Sequence, residues 1–458
     1  MSTQALADLS GVTGQVIRPG DADYDRARTV FLGGVDRRPA VIVRVANNSD
    51  VSRVVALARD TGMPLAVRSG GHSGAAYSVV DDGIVLDLAD MRALQIDAER
   101  RTASAETGLT AAEFTKAADA DGLAVGFGDT GSVGIGGITL GGGVGYLVRK
   151  YGLTIDDLLA ADIVTADGEL HRVDAEAEPD LFWAIRGGGG NFGVATRFQY
   201  RLHPVGAIVG GMMMLPATAD VITSFIALSE AAPEELSTIG NVMPAPPMPF
   251  VPAEHHGKLV IFAMLCYAGA VEAGERAIAP FRALATPIVD MVKPGRYPEM
   301  YPPDDESYHP LATSRTLFID KVDRGVADLI LEHLSASTAP MRVAQLRVLG
   351  GAMARVPVEA TAFAHRRSRI MVNCAAICER PEEMAMHAPW VTGFAAAMRQ
   401  SDAGAYVNFL AEEGPARVRA AYPGATWDRL AAIKRRYDPT NLFRLNQNIP
   451  PSDGRPER

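Results

Sequence analysis

Cysteine is scarce in this chain of 458 residues. There are three, Cys266, Cys374 and Cys378, and none lies in the first 265 positions. That excludes a disulfide framework and points to a reducing, cytoplasmic setting. Cys374 and Cys378 are spaced CAAIC with no second pair or histidine cluster at zinc spacing, so no metal site is expected. No apolar run reaches the roughly 18 residues of a membrane span. The opening MSTQALADLSGVTGQV has neither the basic nor the apolar region of a signal peptide. Excess positive charge is also missing: the net charge of −10 argues against a nucleic-acid or anionic-membrane partner. Two nucleotide fingerprints are absent as well. No G-x-x-x-x-G-K-[ST] occurs, which excludes a P-loop, and GVGYLVRKYG lacks the third glycine of the dinucleotide turn.

What remains is a soluble-type composition, 48% hydrophobic and 21% charged, in a chain long enough for two domains. AVIVRVA is β-rich. Asn48, Ser49 or Asp50 can cap a following helix carrying Val51, Val54, Val55 and Leu57, and MPLAVRS is a second strand. GIVLDLADM (83–91) is another strand, LQIDAERRTASAETGLT a hairpin, and AAEFTKAADADGLAVG a helix stopped at Gly122. LLAADIVTADGELHRV turns at Asp167-Gly168. After about residue 208 the glycine runs end and Met, Ala and Pro increase. PAPPMPFVP (244–252) is a loop, and a helix is expected around Trp427–Tyr437 before an extended tail. The expected organisation is a first domain over 1–208, an α+β domain over 209–404, and a C-terminal segment over 405–458 that returns to the first.

Glycine is abundant where regular structure tolerates it least. It fills eleven of the 27 positions 126–152, and further runs stand in RSGGHSG (68–74) and RGGGGNFG (186–193). Each costs about 1 kcal/mol in a helix interior, so stretch 126–152 reads as loop. Two readings are open. The runs either let backbone N–H groups close around a pyrophosphate or make tight turns in a crowded β-rich domain. His72, flanked only by small residues, is either a ligand to something seated on that loop or a capped loop histidine.

Six motifs in order, RSGGHS (68–73), VGIGGITLGGGVG (133–145), YGLTIDDLLAADIVTADG (151–168), LFWAIRGGGGNFGV (181–194), YVNF (406–409) and YDPTNLFRLNQNI (437–449), span nearly the whole chain. Together they resemble the berberine-bridge-enzyme-like FAD-linked oxidases of the vanillyl-alcohol-oxidase/PCMH superfamily. The resemblance implies an α+β fold: a PCMH-type FAD-binding domain of two α/β subdomains plus an α+β substrate domain with an antiparallel sheet. It also implies that His72 carries FAD through an 8α-histidyl bond, which raises the flavin's reduction potential. Bicovalent members have a cysteine where this chain has Thr130, so one covalent bond is expected, and with it a smaller or narrower substrate. By motif, Arg68, Ser69, Gly70 and Gly71, with Gly134, Gly136 and Gly137, would meet the phosphates. Gly141, Gly142 and Gly143 would lie nearby, Val164 and Gly193 near the adenosine half. Asn446 and Asn448 would either reach the flavin or cap the tail. Val133 matches a position where valine accompanies O₂ access, and is equally a packed β-branched residue.

The family's hydride acceptor takes H⁻ from a C–H next to O or N, and an alcohol or phenol also needs a base. Many relatives use the second tyrosine of Y-x-N-Y, but here that position is Phe409. Either Tyr406 is the base, or the substrate is a neutral amine that needs none, with Phe409 helping to keep it neutral. Tyr308, His309 and His365 are further titratable candidates, and Met212, Met213 and Met214 line an apolar pocket or enter a core. The expected activity is an FAD-dependent oxidase of a small amine or hydroxylated secondary metabolite, with O₂ as acceptor, in a monomer or dimer. A dehydrogenase with another acceptor and a non-catalytic flavin carrier are the alternatives.

Overall fold

The computed structural model describes residues 8–453. Its first sheet runs Gln15–Ile17, Val41–Arg44, Ile84–Asp87, Leu65–Arg68, with the last three strands parallel. Helix Asn48–Thr61 makes the crossover between the second and fourth of these strands, burying Val51, Val54, Val55 and Leu57 as its spacing predicted. Its cap is Asn47, one residue earlier than the expected candidates: the Asn47 carboxamide oxygen accepts from Asp50 N at 3.0 Å. Asp50 is instead turned back onto Thr13 and Gly14.

A second, antiparallel sheet of five strands is ordered Leu94–Asp97, Thr102–Glu106, Val194–Arg201, Leu158–Val164, Leu170–Asp174. The two predicted hairpins are its two edges. Gly122 stops helix Ala111–Asp119 with φ +69°. One expectation fails here. Residues 135–140 are helical although Gly136 and Gly137 lie among them; Gly136 packs against Ser69 and Thr107, where a Cβ would stand 3.0 Å from the Ser69 side chain.

The third sheet is antiparallel and holds Ile208–Pro216, Leu259–Ala268, Leu236–Pro244, Met341–Val348, Ile370–Cys378 and Leu311–Ile319 in that order, with short strands at the first edge. Helices Ala219–Ala231, Val271–Arg282, Arg324–Ala336 and Pro381–Ala397 cover one face and form its core. Met213 points into that core, whereas Met212 and Met214 alternate onto the other face under the 245–251 loop. Helix Ala425–Tyr437 and the tail behind it return to the glycine loops. Among the described residues no helix is long and apolar enough to cross a membrane. The α+β architecture with its antiparallel sheet is the one the sequence motifs implied.

Candidate functional site: a glycine-walled cleft

The three glycine runs converge on one cleft of about 410 Å³ between the sheets. The first two runs touch backbone to backbone. A Cβ on Gly70 would sit 2.2 Å from Gly134 N, and one on Gly134 would sit 2.2 Å from Gly70 N. Ser69 Oγ donates to Thr107 O at 2.6 Å and pins the same corner to the second sheet. These glycines therefore serve backbone contact. Gly137 and Gly190 differ: nothing lies within 4 Å of where their Cβ would stand, and both line the cleft. Ser69, Gly71, His72, Thr130, Val133, Gly136, Gly193, Tyr406, Phe409 and Asn446 line it too.

His72 presents one edge to the cleft and lies flat on Phe31, ring centroids 3.9 Å apart at 18°. Burial pushes its pKa down to about 4, against the opposing pull of Asp304 and the Ser132 backbone. The ring is neutral near pH 7 and keeps a nitrogen lone pair.

Several motif residues are placed elsewhere. Arg68 turns away from the cleft: its guanidinium pairs with buried Asp87 at 2.8 Å, its in-register neighbour on the adjacent strand. Gly141 packs under the Asn408 side chain, Gly142 under Phe363 and Gly143 against Thr154. Val164 belongs to the core of the first sheet. Asn448 borders a neighbouring surface hollow. Tyr308 and His309 sit on the 302–310 loop beside Phe31, and His365 is buried against Phe318 and Phe363.

The cleft's far wall is held by a buried pair, of which Lys434 lies outside the sequence motifs and Asp438 inside the last of them. Lys434 and Asp438 are fully buried and paired at 2.6 Å. Lys434 Nζ also donates to Asn191 O and Phe443 O, and Asp438 accepts from the amides of Leu442 and Phe443. Asn191 Nδ2 donates to Gly188 O and Gln447 O, while its Oδ1 accepts from Ile449 N. The tail is thereby locked onto the third glycine run. That lock presents Asn446, whose Nδ2 donates to Gly190 O and Phe443 O and whose buried Oδ1 has no partner.

At the other end the third sheet contributes. Arg347, 5% exposed, pairs with Asp129 at 2.6 Å and lies over the Phe409 ring at 5.0 Å. It donates to Gln345, which donates to Asn241. Asn373 and Ser314 complete the wall, and the buried Asn373 Oδ1 has no partner. Tyr406 is 2% exposed. Its oxygen accepts from Gly143 N at 3.0 Å, Val144 N at 3.3 Å and Asn408 Nδ2 at 3.0 Å. Burial outweighs these donors and raises its pKa, so it remains a phenol.

A mixed sheet joined to an antiparallel one, with glycine loops walling a cleft between them, is the architecture that the PCMH-type resemblance implied. The residues fit FAD: side-chain-free walls at Gly137 and Gly190, and an unpartnered buried acceptor on Asn446. Residues 39–174 match the FAD binding domain family and residues 405–450 the berberine and berberine-like family. An uncharacterized FAD-linked oxidoreductase of Bacillus subtilis is 32% identical, over 96% of this chain and 99% of that protein. The (R)-6-hydroxynicotine oxidase of Paenarthrobacter nicotinovorans is 30% identical, over 98% and 99%. The crystal structure of 6-hydroxy-D-nicotine oxidase from Arthrobacter nicotinovorans superposes with a TM-score of 0.86 at 28% identity, covering 97% of this chain and 99% of that one. This chain belongs to the berberine-bridge-enzyme-like FAD-linked oxidoreductases, and it is an enzyme of that family.

Proposed function

We propose that the chain is an FAD-dependent oxidase that takes a hydride from the carbon beside a neutral nitrogen of a small organic substrate. On this reading His72 holds FAD by a single covalent bond, residues 1–208 and 405–458 bind the cofactor, and residues 209–404 supply the substrate wall. The reduced enzyme returns its electrons to O₂, giving H₂O₂, in the cytoplasm.

The observation that carries this reading is the lack of a free base once His72 is bonded to the flavin. Among the described residues lining the cleft, the ionisable side chains are His72, Tyr77, Asp129, Tyr406 and Tyr422. Asp129 is engaged by Arg347, Tyr406 by three N–H donors, and Tyr422 Oη donates to Gly187 O. Burial raises the pKa of Tyr77, Tyr406 and Tyr422 alike. An alcohol would need its O–H proton taken in step with hydride loss. An amine lone pair drives that loss without a base, and its nitrogen must be unprotonated to do so. Phe409 gives the site an apolar floor that disfavours the ammonium form. FAD supplies the hydride acceptor and the electron path to O₂. The chain's own work is to orient: Tyr406 fixes the Gly143–Val144 turn, and Asn373 and Ser314 offer hydrogen bonds without net charge. The relative named for oxidation of 6-hydroxynicotine, a ring-hydroxylated amine, is consistent with this class.

The test has two parts. Acid-precipitated protein should keep its yellow colour, on a peptide containing His72. The holoenzyme should bleach when mixed anaerobically with secondary or tertiary amines, (R)-6-hydroxynicotine among them, and recolour rapidly in air. Colour released as free FAD would remove the tether. Bleaching by alcohols or sugars but by no amine would overturn the substrate class, and slow recolouring would make the enzyme a dehydrogenase.

A further inference from the structure

Phe31 lies outside every motif, yet chain segments from both halves of the molecule hold it in place. Its N–H donates to Gly71 O at 3.2 Å, one residue before His72. His309 Nδ1 is hydrogen-bonded to the Phe31 carbonyl at 3.2 Å, and Gly33 N donates to Pro310 O at 3.0 Å. The join at Gly33 is tight: a Cβ there would stand 2.5 Å from His309 O. Tyr308 meets the outer side of Phe31 edge-on at 6.2 Å, and the inner side carries the His72 imidazole as a near-parallel stack at 3.9 Å. A histidine flanked by Gly70, Gly71, Ser73 and Gly74 has no bulky chain neighbour to fix its ring. Phe31 supplies a flat surface against that ring, the Ser132 backbone adds a hydrogen bond to it, and His72 still lines the cleft.

We propose that Phe31 is the positioning residue for covalent attachment of FAD to His72, with Tyr308 as its outer support. The inference rests on the tether of the proposed function. Attachment forms one bond, from an imidazole ring nitrogen to the carbon of the flavin 8-methyl group. One hydrogen leaves that methyl and one leaves the imidazole N–H. O₂ accepts both, with the two electrons, and departs as H₂O₂. The protein's part is geometric: the lone pair must be aimed in the ring plane. A misplacement of about 1 Å in such a reaction costs about a hundredfold in rate.

The experiment uses full-length protein from riboflavin-limited cells, incubated with FAD in air. Total bound FAD is read by absorbance, and the covalent fraction by in-gel fluorescence after acid precipitation. Phe31→Ala and Phe31→Leu should bind FAD as tightly as wild type but attach it about ten- to a hundredfold more slowly. Phe31→Tyr and Phe31→Trp, which restore an aromatic face, should attach it at close to the wild-type rate. Leucine fills similar volume, so the leucine–tyrosine contrast separates stacking from packing, and it decides the matter if the alanine variant does not fold. Tyr308→Ala, on an exposed loop, should slow attachment by a smaller factor. Attachment in Phe31→Leu as fast as in Phe31→Tyr would overturn the proposal. Wild-type and His72→Ala proteins that both lack covalent flavin would overturn the tether itself, a result distinct from a failure at Phe31.

Discussion

Replacing Lys434 by methionine tests how the cleft wall is held. The ammonium donates three hydrogen bonds, to Asn191 O, Asp438 Oδ2 and Phe443 O, and neither it nor its partner Asp438 is exposed to solvent. Methionine fits the volume but leaves a buried carboxylate with two amide donors and no counter-charge. Removing one member of a buried pair costs about 3–5 kcal/mol. The cost falls first on local opening of the tail, because the pair joins the tail to the third glycine run. Amide exchange across 438–449 should speed up by about 10²- to 10⁴-fold, and non-covalently bound FAD in a His72→Ala background should dissociate faster. The double variant Lys434→Met/Asp438→Asn removes the stranded charge and should recover most of the exchange protection. Exchange and FAD retention unchanged in the single variant would refute the view that this pair locks the tail.

Val133 lines the cleft, and Val133→Leu should slow recolouring of the reduced enzyme in air by about tenfold while leaving anaerobic bleaching intact; stopped-flow absorbance reads both, and an unchanged air rate would make Val133 a packing residue only. His72 gives a pH signature in FAD-free protein. Its folded pKa, about 4, lies below the ordinary value of 6.5, so the unfolded chain binds the proton first as pH falls. Stability linked to this group is complete above pH 6.5 and is lost toward pH 4. The melting temperature of wild type should therefore fall more steeply than that of His72→Ala across that window, and parallel curves would contradict the neutral buried imidazole.

The parts of this molecule that could be read from the sequence are those where chemistry is local. Glycine spacing announced the loops because Gly70 and Gly134 approach backbone to backbone, which no other residue allows. Strand–helix alternation announced the first sheet, and turn residues announced the hairpins. The helical turn at 135–140 was missed because glycine's poor helix propensity was overridden by close packing against Ser69 and Thr107. Arg68 illustrates a different failure. A cation beside a glycine loop suggests a phosphate ligand, but Arg68 ends a parallel strand whose in-register neighbour is Asp87, so the charge is satisfied inside the sheet.

Most of the residues that went unseen are products of long-range register. Asp129 and Arg347 pair across 218 positions. Asn241, Gln345 and Asn373 form one row because their strands align them side by side, and each alone looks like an ordinary polar strand residue. Lys434 and Asp438 did carry a local sign, opposite charges four apart on a helix, but that pattern marks a solvated face far more often than a buried one. This division follows the chemistry. Holding a flavin needs close backbone approach, which glycine writes into short motifs. Choosing a substrate needs side chains brought together by sheet pairing, and the neutral wall of Asn373, Ser314 and the Asp129–Arg347 pair exists only once the third sheet has formed.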